Sequence, residues 1–489
     1  MGENPWLPVV LEFAGENLGV AAGVKKQCEI IHNIITNAYA LVIILCMEYM
    51  TISEASQHLG ISIDTLRRWD KSGIIRAERN ATGHRIFNLA EIERVENKRQ
   101  CREVSTGDLY KVLRADEEVK YTSIDLFAGG GGTASGLENA GFSHKLLSEI
   151  DPAAASTLRK NRPSWNVVEG DVANIDFSSF YDQIDLVEGG FPCQAFSYAG
   201  KSMGFEDTRG TLFFEFARSV KEVMPKVFVG ENVKGLLRHD GGRTLHTMIN
   251  TLQSIKDKKG RTYKVAYRVV RAQYHDVAQK RERLLIVGVR SDLESSILFP
   301  KERDYIISLW EAIGNCPKSP GQEYPEKKRK VMEMVPPGGY WKDLPDEVQR
   351  DYLGGSYHLS GGKTGMARRL SWDEPSLTLT CSPAQKQTER CHPEETRPLT
   401  VREYARIQSF ADDWEFSGSI AQQYKQIGNA VPANMAFHIG RAVRAMIEGR
   451  THDDYVDLIE VEPLEKYSED NINHDAVSQY QENLEGTLF

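Results

Sequence analysis

An α/β fold built on a doubly wound, mostly parallel sheet is predicted for the middle of this 489-residue chain, on three features. From Tyr121 onward, short aliphatic runs alternate with helical patterns, an order that puts helices on both faces of a parallel sheet. The glycine run Gly129-Gly130-Gly131-Gly132 joins the first of these strands to its first helix. Acidic residues recur where strands end (Glu149, Asp171, Glu231), and open α/β sheets bind ligands outside those ends. The length exceeds one ordinary core, so two or three domains are expected.

Residues 1–47 show neither periodicity nor capping signals and are expected to be a poorly ordered extension, an overextended start ahead of Met47 and Met50. In residues 48–104, Ser53 to Gly60 reads as a short helix stopped by glycine. Ser62 to Gly73 reads as a second, with Ser62 as its N-cap. A basic turn carries Arg76, Arg79 and Gly83-His84-Arg85-Ile86-Phe87, and a third helix starts at Leu89. Helix, turn, helix and basic wing make a DNA-docking unit. The stretch resembles the winged helix-turn-helix module of the MerR and excisionase families. The resemblance implies that Thr65 to Trp69, with Arg67 and Arg68, lie in the major groove, while Arg85 supports the wing on the backbone. A small helical appendage with a solvated charged face is the alternative.

Residues 105–120 read as a polar linker. Residues 121–298 hold strands at Ser123–Phe127, Lys145–Glu149, Asn166–Glu169, Leu186–Glu188, Val227–Gly230 and Arg283–Val289, and residues 424–449 are expected to complete this domain. The alternation is lost across residues 299–423, rich in Gly and Pro, which suits a smaller, loop-rich domain. Residues 450–489 form an acidic tail, expected to be flexible.

Hydrophobic residues make up 40% of the chain and charged residues 26%. The longest apolar run, Ala38 to Met47, is about half of what a membrane span needs. The seven cysteines form no Cys-x-x-Cys pair, so a reduced, cytoplasmic protein without a structural metal is expected. The net charge of −9 is concentrated after Arg450, where eleven acidic residues face one lysine, so the overall sign does not exclude nucleic acid.

Chemistry gathers at two strand ends. Ile184 to Glu188 runs into Gly189-Gly190-Phe191-Pro192-Cys193-Gln194-Ala195-Phe196-Ser197, and Val227 to Gly230 runs into Glu231-Asn232-Val233. A thiol and a carboxylic acid presented together suit sulfur attack on a pyrimidine carbon while a ring nitrogen is protonated. In the glycine turn after Asp125-Leu126-Phe127-Ala128 a ligand can approach the backbone closely. Glu149 at a strand end can grip ribose hydroxyls, and Asp171 can accept from an adenine amino group. No P-loop Lys-Ser/Thr pair follows. Ribose and adenine contacts without a phosphate cradle favour S-adenosylmethionine, with NAD still open at this point.

Gly-Phe-Pro-Cys-Gln-x-Phe-Ser, Glu-Asn-Val, Gln279-Lys280-Arg281-Glu282-Arg283 and Gln426-Ile427-Gly428-Asn429-Ala430-Val431-Pro432 occur in the order and spacing seen in DNA cytosine-5 methyltransferases, which the chain resembles from about Tyr121 to Ile447. The resemblance implies a Rossmann-like, S-adenosylmethionine-dependent domain with a target-recognition domain. It makes Cys193 the nucleophile at C6 of a flipped cytosine, with Glu231 as the acid at N3. Asn232 would hold the loop, and Arg281 and Arg283 would pair with the base, the DNA backbone or Glu231. Phe127, Gly129, Glu149, Ile150, Asp171, Val172, Gly190, Pro192, Asn429 and Val431 would line the cofactor site. The loop from Ser197 to Thr211 would close on duplex DNA, and Arg368 and Arg369 would contact it. Ile150 departs from the large aromatic of many relatives. A monomeric modification enzyme of a restriction–modification system is expected, associated with the nucleoid through DNA and with the winged module on its own promoter. A transfer-RNA cytosine methyltransferase and a catalytically silent DNA-binding regulator stay open.

Overall fold

The computed structural model describes residues 49–72, 74–104, 110–116, 120–191, 211–359, 363–450 and 457–466. The chain divides into two compact units, residues 1–105 and 106–489. The expected extension at 1–47, Pro192, Cys193, Ser197 and the loop to residue 210 lie outside the described residues.

The first unit runs β1 (Tyr49–Thr51), α1 (Ile52–Leu59), α2 (Ile63–Ser72), β2 (Glu78–Arg79), β3 (Arg85–Asn88) and α3 (Leu89–Val104). Its strands form an antiparallel sheet in the order β1-β3-β2, the wing of the expected module. A reciprocal cap starts α1: Glu54 N–H donates to the Thr51 hydroxyl, and Thr51 N–H donates to the Glu54 carboxylate at 2.8 Å. Gly60, at φ 62°, ends it. Ser62 Oγ accepts from Thr65 N–H at 3.1 Å, as its N-cap reading requires. Leu59, Leu66, Trp69, Phe87 and Ile92 make the core. The major-groove segment is therefore divided: Thr65, Leu66 and Trp69 face inward, and Arg67 faces solvent.

The second unit runs β4 (Tyr121–Leu126), α4 (Gly132–Asn139), β5 (Phe142–Glu149), α5 (Pro152–Asn161), β6 (Val167–Glu169), β7 (Leu186–Gly189), α6 (Thr211–Val223), β8 (Val227–Val233), α7 (Arg243–Ser254), β9 (Tyr263–Arg271), β10 (Gln279–Lys280), β11 (Glu282–Arg290), β12 (Ile297–Pro300), α8 (Leu309–Ile313), α9 (Glu326–Glu333), α10 (Asp346–Leu353), β13 (Ser376–Leu377), α11 (Val401–Ile407), α12 (Ile420–Asn429), α13 (Ala433–Ile447) and β14 (Leu458–Val461). The main sheet has the order β6-β5-β4-β7-β8-β11-β9. Strands β4 to β8 pair in parallel, and β11 is antiparallel to both of its neighbours. The order reverses between β4 and β7, and a crevice opens beyond the carboxyl ends at such a switch point.

Side chains alternate across each strand, so the sheet has two distinct cores. Ile124, Val187, Phe228 and Ile286 face α6 and α7, meeting Phe213, Phe216, Leu245 and Met248. Leu186, Val229, Leu285 and Val287 face α4 and α13, meeting Leu137, Met435 and Ala436. A separate core around Tyr324, Met332, Trp341, Leu353, Met366 and Cys391 marks the smaller domain.

Three boundaries differ from expectation. The smaller domain does not run to 423, because Val401, Tyr404, Ala405, Ile407, Phe410 and Trp414 pack with Leu147 and Leu158 of the sheet layer. The linker is docked over 110–116: Leu113 N–H donates to Asn434 Oδ1 at 2.9 Å, Ala115 N–H to the Asn139 carbonyl at 2.9 Å, and Tyr110 to the Phe410 carbonyl at 2.5 Å. Within the acidic tail, β14 pairs antiparallel with β12 and buries Leu458, while Arg441 holds Asp457. In each case alternating apolar residues find an open strand edge or helix face, which outweighs the polar composition around them. No helix among the described residues is long and apolar enough to cross a membrane.

Candidate active site

Strand β4 delivers Asp125 and then turns sharply. Phe127 takes φ 62°, a left-handed conformation that costs a bulky residue on the order of 1 kcal/mol or more. Gly129, at φ 55°, turns its N–H onto Glu149 Oε2 at 2.6 Å. The amino end of α4 then lies against the last motif, since a methyl group on Gly132 would meet the Val431 carbonyl at 2.2 Å. Only glycine permits that approach.

Glu149 is buried, and its second oxygen accepts Asp151 N–H at 2.7 Å. One amide on each oxygen fixes the carboxylate while leaving acceptor capacity for two hydroxyls, which suits a ribose. Ile150 next to it is 69% exposed, an apolar side chain left uncovered at the end of β5. Asp171 is exposed and caps the short turn 172–174 through Ala173 N–H at 3.0 Å, with Val172 buried behind it. Phe127, Gly129, Glu149, Ile150, Asp171 and Val172 thus stand at the ends of adjacent strands β4, β5 and β6. Val431 joins them through its carbonyl at Gly132, and Asn429 ends α12, accepting from Cys381 Sγ at 3.3 Å.

Strand β8 presents Glu231 and Asn232 on opposite faces. Glu231 Oε1 lies 2.5 Å from Arg283 Nε, an ion pair between mostly buried groups rather than an aligned hydrogen bond. A methyl group on Gly190 would come within 3.2 Å of Glu231 Oε2, so the end of β7 passes directly beside the acid. Asn232 is buried and donates to the Phe191 carbonyl at 2.8 Å, which holds the main chain two residues before Cys193.

Three arginines are placed otherwise than expected. Arg281 does not share a face with Arg283, because the ladder breaks between β10 and β11. It is buried and donates to the carbonyls of Gly428 at 3.1 Å and Asn429 at 3.2 Å. Burial and the neighbouring Arg283 push its pKa down to about 9. It is a clamp between chain segments, not a group facing the base. Arg369 is buried and donates to the carbonyls of Val335 and Met332, both at 2.7 Å, and to Thr396 Oγ1 at 2.9 Å, which removes it as a DNA reader. Arg368 is also buried and stacks over Tyr340 at 5.7 Å. In the winged unit, Arg85 donates to Asp70 at 2.7 Å and Arg68 to Thr65 at 3.0 Å.

Two further acids escaped the sequence reading. Asp125 and Glu188 are buried and lie in register on β4 and β7. Burial pushes Asp125 up to about 7, with a hydrogen bond to Glu188 opposing the rise and Glu149 adding to it. Burial also pushes Glu188 well above the usual carboxylate range, with Asp125 and Glu231 adding to the rise.

Residues 121–445 match the family of C-5 cytosine-specific DNA methylases. The chain belongs to that family. Residues 51–87 match the MerR family regulatory protein, in agreement with the winged unit. The chain is 52% identical over 410 residues to the type II methyltransferase M.Eco47II of Escherichia coli, covering 82% of this chain and 96% of that protein. It is 55% identical over 343 residues to M.PspPI of a Psychrobacter species, covering 68% and 81%. M.Sau96I of Staphylococcus aureus is 52% identical over 330 residues, covering 66% and 75%. The protein is a DNA cytosine methyltransferase that uses S-adenosylmethionine. The residues present fit that methyl donor: a carboxylate with spare acceptors, an uncovered apolar side chain and the buried acid Asp125, whose oxygens receive no amide donor.

Proposed function

We propose that this methylase acts at C5 of cytosine within a specific duplex sequence, through a covalent bond from Cys193 to C6 of a base flipped out of the helix, as the modification enzyme of a restriction–modification system. The grip of Asn232 on the Phe191 carbonyl carries this reading, because it ties the strand that carries Glu231 to the chain leading into Cys193. C5 of cytosine is a weak nucleophile. Attack of the thiolate on C6 makes the ring an enamine and loads electron density onto C5. Glu231 supplies a proton or a strong hydrogen bond at N3, and Arg283 holds the acid in place. The bound cofactor supplies an electrophilic methyl group. A base then removes the C5 proton, and the thiolate leaves. The target atom cannot be reached inside a duplex, so flipping costs about a few kcal/mol of unstacking.

Glu149 and Asp171 serve the ribose and the adenine amino group, with Phe127, Gly129, Ile150, Val172, Gly190, Pro192, Asn429 and Val431 around the ligand. Arg67, Arg68 and Arg85 carry DNA contacts of the winged module, which binds the enzyme's own promoter, and catalysis needs one copy of the chain. The test is trapping on duplex DNA containing 5-fluorocytosine. The active protein forms a denaturant-resistant adduct, and Cys193→Ser forms none. An adduct that survives this substitution would overturn the proposal, as would methyl transfer to transfer RNA in place of duplex DNA.

A further inference from the structure

We infer that Glu188 and Asp125 act as one positioning unit, a buried acid pair whose single negative charge lies beneath the methyl-donor site and selects the cationic donor over its neutral, demethylated product. The inference rests on the cofactor site lying at the ends of β4, β5 and β6, as proposed above.

The geometry is set by the sheet. Asp125 pairs with Glu188, and Glu188 with Val229, so both acids share the face that carries Glu231. Along each strand the residue two further on has the same orientation, which puts Gly190 above Glu188, while β4 ends at Leu126 and Phe127 turns in a left-handed conformation to pack on the opposite core. The pair therefore lies one pleat, about 7 Å, below the floor of the crevice. Asp125 is 1% exposed and Glu188 3%, and neither Asp125 oxygen has a donor while both acids are ionised. The facing group able to supply one is Glu188 when it carries a proton. Two like charges side by side in this setting are unfavourable, so the pair holds one proton and one charge. The other charged groups on this face are Glu149 from β5, Glu231 from β8, Arg283 from β11 and Arg268 and Lys264 from β9, with the neutral ring of His144 beside Ser123, whereas Gly132, Gly136, Ala433 and Ala436 of the covering helices carry none. Donor and product share an α-amino and a carboxyl group and differ in the sulfonium charge. A buried anion below the site thus acts on their ratio.

The experiment measures dissociation constants of S-adenosylmethionine and S-adenosylhomocysteine by calorimetry on the full chain, from pH 6 to 8.5. Glu188→Gln and Asp125→Asn each leave one carboxylate beside an amide and are expected to keep the wild-type preference at pH 7.5 within about twofold. The double variant removes the charge and is expected to lose about tenfold in preference while still binding product, the scale of one unit charge at this distance in a medium of intermediate dielectric. The wild-type preference rises with pH as the shared proton leaves, and Glu188→Gln, whose amide donates to the Asp125 carboxylate and keeps it ionised, gives a flatter profile. A double variant that keeps the wild-type preference overturns the inference. If the double variant does not fold, coincident pH profiles of wild type and Glu188→Gln overturn it instead. Glu149→Ala, expected to weaken donor and product alike, tests the cofactor-site reading separately, so the two failures are told apart.

Discussion

At the scale of single residues, Glu231 and Asn232 are neighbours with different tasks. Glu231→Gln keeps the shape and a neutral group but cannot give up a proton as a carboxylic acid does. The turnover number should fall on the order of a hundredfold or more, the usual share of a positioned acid, with DNA affinity little changed. Single-turnover methyl transfer with matched binding assays checks this, and an unaltered rate would remove Glu231 from the chemistry. Asn232→Ala should act through the chain it holds. Losing its bond to the Phe191 carbonyl costs about 1–3 kcal/mol of stability, because a buried carbonyl is left without a donor. Urea unfolding measures that loss, and 5-fluorocytosine trapping should slow in parallel. Arg281 shows where residue-level reading ends. Two arginines at spacing two share a face in an unbroken strand, and only the break after Lys280 turns Arg281 inward.

At the scale of elements, His144 joins three of them. Its Nε2 contacts the Ala134 carbonyl of α4 at 2.9 Å, and its Nδ1 contacts the Ser123 hydroxyl of β4 at 2.9 Å. The carbonyl can only accept, so Nε2 carries the hydrogen and Ser123 donates to Nδ1; the ring is neutral. Burial holds its pKa at about 4, below the usual 6.5 of an imidazole. Below pH 6.5 the unfolded chain takes up this proton and the folded chain does not, so stability is intact above that value and declines as pH falls toward 4. The decline attributable to this residue approaches about 3 kcal/mol. Urea midpoints measured between pH 7 and 4 should fall less steeply in His144→Asn than in the wild type, and equal slopes would refute the assignment. The parallel strands β4 to β8 were legible because aliphatic runs end in glycine or acid at regular intervals. Strand β9 was not, since Tyr263 to Arg271 mixes charges into its alternation and its pairing with β11 is visible only in three dimensions. The Asp125–Glu188 pair was hidden likewise, as its members lie on strands far apart in sequence and meet only through register.

At the scale of the whole molecule, the chain joins a MerR-like unit to a methylase unit, and charge is distributed unevenly between them and the tail. Each unit has its own apolar core, so each is expected to fold alone. The second unit also includes residues 110–116, which fill positions on Asn139, Asn434 and the Phe410 carbonyl. A deletion of residues 1–105 that begins the chain at Thr106 keeps those contacts. One that begins it at Tyr121 strips them, leaving Asn434 Oδ1 and the Asn139 and Phe410 carbonyls without these donors, while Asn434 keeps its bond to the Asp276 carbonyl. The longer fragment should methylate duplex DNA with kcat within about threefold of the full chain, because phosphate contacts by the lost module matter more to encounter than to chemistry. The shorter one should melt several degrees lower, as expected for about 2–4 kcal/mol lost from a unit of this size. Promoter binding separates the modules further. Gel shifts on the chain's own promoter should disappear in both fragments while methylation persists in the longer one, and unchanged binding by that fragment would end the regulatory reading of the winged unit.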